Sequence, residues 1–228
     1  WWNTSVRFKK YDLIMDEDIA IINTNNKFEK IKNFFINNKK KIAISVSVII
    51  LIIFGYFIYK DFEKKNKIEL ANRYNFATIN FISGDKTKIE NELVDIVNEK
   101  DRTYSPLALY FLIDNNIILE NNKINELFDI VINETSLEKE IKNLVIFKKA
   151  LFNSDFETEN NLLQILHPVI NSNSIWKSHA LYLMGEYFYF KNEKQKSKEF
   201  FNQIIILENS NSNIKLEAQK RLNRNFSE

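Results

Sequence analysis

The chain has 228 residues, 45% hydrophobic and 27% charged, with three Gly, two Pro and no Cys. That composition excludes disulfides and thiolate metal sites, and it favours helices joined by short turns. The formal charge is +2, from 32 Lys/Arg against 30 Asp/Glu, which is not the balance of a basic nucleic-acid binder.

The charge is unevenly spread. Residues 1–60 hold 10 Lys/Arg against 5 Asp/Glu, a net of +5, whereas residues 61–228 hold 22 against 25, a net of −3. A basic N-terminal part suits a neighbouring surface of anionic lipid. Ile, Asn and Lys number 33, 32 and 27. All three are read from A/T-rich codons, so a single lysine cluster carries little functional information.

The first stretch, WWNTSVRFKKYDLI, precedes Met15, and MDEDIAIINTNNKFEK from there reads as a natural beginning. Residues 1–14 are expected to be an upstream or non-native extension, and 15–41 a short basic tail.

Next comes KKKIAISVSVIILIIFGYFIYKDFEKK at 39–65, with no charge from Ile42 to Tyr59. A helix of that length covers roughly 27 Å, close to the ~30 Å hydrocarbon core of a bilayer. Its Ile, Val, Leu and Phe residues favour insertion by about 4 to 7 kcal/mol before Ser45, Ser47 and Gly55 offset part of that. Tyr56 and Tyr59 stand where an aromatic belt would, and Lys39 to Lys41 and Lys60 mark the interfaces. A buried core helix would show a polar face. A cleaved signal peptide would end in small residues rather than Phe57-Ile58-Tyr59. The segment is expected to be a retained transmembrane helix that meets the lipid bilayer from Ile42 to Tyr59.

Flanking lysines leave the orientation tied: Lys32, Lys39, Lys40 and Lys41 before the span, Lys60, Lys64, Lys65 and Lys67 after it. A first span behind a short tail acts as a signal anchor, which puts the N terminus in the cytoplasm.

From residue 60 to 228, apolar residues recur at helical spacing. Leu70, Ala71, Tyr74, Ala77 and Phe81 form one stripe, and Leu93, Ile96 and Val97 the next. Leu107, Ala108, Phe111 and Leu112 follow, then Leu127, Ile130 and Val131. No window alternates strictly, so strands are not expected. Breaks fall at Ser83-Gly84-Asp85, Glu120-Asn121-Asn122, Asn153-Ser154-Asp155 and Lys191-Asn192-Glu193. Their spacing, near 34 residues, is that of stacked helical hairpins of the tetratricopeptide kind. The predicted fold is all-α: one transmembrane helix, then an α-solenoid of about four such hairpins.

The last unit, SHALYLMGEYFYFKNEKQKSKEFFNQIIILENS, can be placed position by position. Gly185 at the small eighth position puts Leu181 at the fourth and Phe188 at the eleventh. Ser197, Phe201 and Ile204 then take the twentieth, twenty-fourth and twenty-seventh. Small residues let two helices approach and the aromatic ones fill the gap. The first unit is degenerate, with a bulky Ile89 at its small position.

An acidic start at Asp16-Glu17-Asp18, a basic tail, one span, Ser83-Gly84-Asp85 after a Tyr/Ala helix, Trp176-Lys177 opening the last hairpin and the closing EAQKRLNRN follow one order. Over about residues 16–224 that order resembles the bacterial YfgM-like family of membrane-anchored tetratricopeptide-like proteins, in its alphaproteobacterial form. The resemblance implies an inner-membrane protein with a periplasmic repeat domain and an ancillary role beside the Sec translocon and periplasmic chaperones. The implied partners are translocon subunits, chaperones or client proteins.

Nothing in the chain reads as catalytic machinery. His167, expected at a helix end stopped by Pro168, and His179 lack a second ligand at metal spacing. Glu157 and Glu159, two apart on a helix, would point apart. No enzyme activity, cofactor, small-molecule substrate or nucleic acid is expected. In repeats of this kind positions two, five, nine and twelve of each first helix line the concave surface; here these are His179, Tyr182, Glu186 and Tyr189. They form the candidate protein-binding groove, and packing of the tyrosines on the preceding hairpin is the equally weighted alternative. Trp176 reads as a plug between hairpins. Two other functions stay open: a self-associating envelope-assembly or division factor, and a cytoplasm-facing repeat adaptor.

Overall fold

The computed structural model describes residues 29–225, and among them it is helical throughout, with no strand. The expected extension at 1–14, and the part of the basic tail up to residue 28, lie outside the described residues. The chain forms two compact units, Trp1–Asn66 and Lys67–Glu228.

In the first unit a helical run over 29–37 leads through Asn38, whose amide donates to the Phe34 carbonyl at 3.0 Å, into helix α1 (Lys39–Ile79). Its apolar stretch has a mean hydropathy of 2.6 and none of it is buried, so it is long and apolar enough to cross a membrane. Ile44 to Tyr59 present large side chains all round rather than one stripe. Past Tyr59 the helix turns polar without breaking, and the pairs Lys60–Glu63 and Asp61–Lys65 both close at 2.8 Å.

The second unit begins inside α1, where Leu70 and Ala77 are buried. It continues with α2 (Lys86–Asn98), α3 (Tyr104–Asp114), α4 (Asn121–Asn133), α5 (Lys139–Asn153), α6 (Glu159–Ile170), α7 (Lys177–Phe190), α8 (Lys194–Ile206) and α9 (Ser212–Asn225). The pairs α3–α4, α5–α6 and α7–α8 pack as hairpins, α1 is tied to α2 by Arg73 with Glu92 and Glu99, and the helices pack in chain order with α9 against α7 and α8. Three of the four expected turns fall at the breaks in the sequence pattern. The second lies at 115–120, because Asn121 and Asn122 already belong to the first turn of α4.

Asparagine does the work of the missing glycines. Asn116 and Asn192 take positive φ, 48° and 63°, just past the ends of α3 and α7. Behind each, the next amide closes on the carbonyl five residues back: Ile117 on Leu112 at 3.0 Å, Glu193 on Phe188 at 2.8 Å. That is the Schellman closure, and a short polar side chain tolerates its left-handed residue. Helix starts are capped by carboxylates and amides. Asp85 accepts from Thr87 and Lys88, Asp101 from Thr103 and Tyr104, and Asn211 from Asn213 and Ile214.

The last hairpin closes as its register requires. Gly185, Phe188, Phe201 and Ile204 are buried, and a Cβ on Gly185 would stand 2.6 Å from the Phe201 ring. The buried Ser197 hydroxyl donates to the Gly185 carbonyl at 2.8 Å. Two local expectations are corrected. Leu107 is exposed, because α3 buries Pro106, Ala108, Leu109 and Leu112 instead. Pro168 does not stop α6, which runs on to Ile170; near a helix end a proline forfeits few hydrogen bonds.

Polar ties between hairpins repeat the period. Lys123 reaches Glu90, Lys100 reaches Glu134, Lys196 reaches Glu159 and Arg221 reaches Glu186, at 2.6 to 2.9 Å. Glu140 accepts from the Ser174 hydroxyl at 2.7 Å and the Ile175 amide at 3.2 Å. Most of these pairs are part-exposed and each contributes little stability; their consequence is to fix which hairpin follows which.

Candidate protein-binding surfaces

The four groove residues all lie on α7, one turn or so apart. His179 faces backward. Its ring lies 5.1 Å from Trp176 and 5.9 Å edge-on from Phe147 of α5. Trp176 stacks on the same Phe147 at 6.2 Å, so it plugs the junction between the third and fourth hairpins. The His179 Nδ1 is buried without a well-formed hydrogen bond. Burial lowers its pKa below 6.5, and the Ile175 carbonyl opposes this only weakly.

Tyr182, Glu186 and Tyr189 face forward, and α9 lies over them. Arg221 of α9 donates to Glu186 Oε2 at 2.6 Å and sits 5.5 Å over the Tyr189 ring. Tyr182 packs on Phe201 at 5.4 Å. Burial, the largest cause, raises its phenol above the ordinary value, with Arg221 opposing and Glu186 adding to the rise. Glu186 Oε1 is buried and makes no hydrogen bond. At this hairpin the structure brings three of the four residues together, around a cation from the chain itself. Helix α9 was missed as a cover, although Ile214, Ala218, Arg221 and Leu222 are spaced as one helical face.

Glu157 lies in the turn before α6 rather than on a helix with Glu159; it accepts from the Asn161 amide at 2.6 Å, and Glu159, which opens α6, accepts from Lys196. His167 is exposed. Among the described residues no three His, Asp or Glu side chains are placed to hold a metal ion.

A second surface lies at the hairpin turns. Each intra-hairpin turn, or the helix end leading into it, exposes a large apolar side chain, among them Ile82, Leu119, Phe156 and Phe190. Charges do not follow them evenly. Residues 103–122 and 150–176 contain no Lys or Arg in a lysine-rich chain, yet include Asp114, Glu120, Asp155, Glu157 and Glu159.

Fold and surface together define a helical-repeat chain with, among the described residues, one helix long and apolar enough to span a membrane. No family model, curated protein or solved structure matches this chain.

Proposed function

We propose that this is a single-pass membrane protein whose helical-repeat domain holds other proteins beside the bilayer and performs no chemistry itself. The observation that carries this is the apolar stretch of α1, which is wholly unburied, while the second unit has its own core of stacked helices. Leaving those Ile, Val and Phe side chains in water would cost about 1.5–3 kcal/mol each relative to burial. A bilayer offers the burial that the chain does not. Stacked hairpins in turn expose a long surface suited to docking extended segments.

In the YfgM-like form of this reading the N terminus is cytoplasmic, the repeats are periplasmic, and the partners are translocon subunits, periplasmic chaperones or their clients. The order of acidic start, span and final hairpin supports it. One cysteine at exposed Asn209, in a chain that has no other, tests it in intact spheroplasts with a membrane-impermeant maleimide. Labelling without lysis is expected, together with translocon subunits among cross-linked products. Labelling only after lysis would overturn the periplasmic placement and its partners.

A further inference from the structure

At three junctions between successive hairpins, or between the last hairpin and α9, side chains fill the space between the first helices. Tyr74 meets Tyr104 and Phe111; Trp176 and His179 meet Phe147; Arg221 meets Glu186 and Tyr189. At the junction between the second and third hairpins Lys148 of α5 lies over the Tyr110 ring of α3, and a cleft of about 150 Å³ opens beside α3.

Ile113, Phe128, Leu151 and Phe152 give the cleft apolar walls, and the Tyr110 ring forms another, with Lys148 Nζ 4.5 Å over its face. The Tyr110 hydroxyl is buried and has no hydrogen-bond partner among the described residues. Phe156 extends the apolar wall outward, edge-on to Phe152 at 5.6 Å and itself 46% exposed. Asp114 stands in the lining, and among the described residues neither it nor Asp155, beside Phe156, has an ion-pair or hydrogen-bond partner for its side chain.

We propose that this cleft receives one aromatic side chain from a partner protein, presented on a segment rich in Lys and Arg. This rests on the reading of the domain as a protein-binding repeat and names the chemistry it recognises.

Size decides against a free small molecule. Ligand pockets run to roughly 300–1,000 Å³, whereas a cavity near 150 Å³ takes a single benzene ring. An inserted ring would meet Phe128 and Phe152 as Trp176 meets Phe147 one junction further on, with offset or edge-on contacts. Charge chooses the flanks. Lys148 and Asp114 balance within the lining, and the stretches 103–122 and 150–176 beside it carry Glu120, Asp155, Glu157 and Glu159 with no Lys or Arg, so the complementary flanks are cationic.

The test uses the full chain in phosphatidylcholine nanodiscs and a fluorescein-labelled peptide, Gly-Lys-Lys-Phe-Lys-Lys-Gly, read by polarisation. Binding is expected, weakened about tenfold or more when the peptide Phe becomes Ala or its Lys become Glu. In the chain, Leu151→Lys is expected to weaken binding about tenfold and Asp114→Lys several-fold. Leu151 is half exposed, so its variant keeps the fold, and unchanged helicity checks this. Glu217→Lys, on α9, is expected to change nothing.

No binding, equal binding of the Ala peptide, or indifference to both cleft variants would overturn the proposal. Indifference with translocon subunits still cross-linked leaves the scaffold reading standing and removes only the cleft. Peptide binding with the maleimide result reversed does the opposite. Concentration-dependent self-association that blocks the peptide and is lost in Leu151→Lys would replace the partner with a second copy.

Discussion

Gly185 is where a single atom decides the geometry of a hairpin. Its backbone needs no glycine, but the face of Phe201 fills the place a Cβ would take, and Phe201 is fully buried and cannot retreat. Gly185→Val is therefore expected to cost about 1–3 kcal/mol through overpacking, read as a fall of several degrees in Tm. An unchanged Tm would mean that α7 and α8 do not pack as closely as the structure has them. This position was legible, because glycine weakens a helix interior and is kept there where a neighbour such as Phe201 must come close. His179 was legible as a residue but not in its role. Its burial holds the folded-state pKa below 6.5. As pH falls through 6.5 the unfolded chain takes up the proton first, so stability present above that pH is lost below it. Thermal melts at pH 7.5 and 5.5 should separate the wild type more widely than His179→Phe; equal separation would remove His179 as the source.

At the scale of elements, the instructive case is α9. Its sequence has only a modest apolar face, and propensity alone would leave a short polar helix marginal in water. Tertiary contacts give it a place: Ala218 is buried, and Arg221 answers a Glu186 whose second oxygen is already out of solvent. Arg221→Ala leaves that carboxylate unpaired, and a cost of about 1–3 kcal/mol is expected. The loss should appear as faster amide exchange across 212–225 with α1–α4 unaffected, and Glu186→Gln in the same chain should restore part of it. Uniform loss of protection would show instead that the repeats unfold as one block. Helix starts and stops were mostly readable, since Asp85 and Asn192 act through local hydrogen bonds. The face of α3 was not, because a helix with Leu107, Leu109 and Leu112 on several sides leaves the choice to its neighbours.

Across the whole molecule, what holds the repeats and what the span needs are separate. The stacked unit has its own core, from Leu70 and Ala77 to Ala218. A fragment of residues 67–228 is expected to be soluble and helical without detergent, whereas the intact chain requires a bilayer or micelle; circular dichroism after detergent removal checks both. An unfolded or aggregated fragment would mean that the apolar half of α1 is needed for folding. By itself the sequence determined helix over strand, the hairpin period, the apolar span and the close approach at Gly185. All of these rest on short-range spacing, on uninterrupted apolar length or on turn chemistry. Only the tertiary structure decided that α9 covers Tyr182, Glu186 and Tyr189, that Phe147 is the ring Trp176 meets, and that a cleft is left open beside Tyr110. Those outcomes depend on which side chain meets which across some 30 residues of chain, and packing of that kind leaves no periodic mark in the sequence.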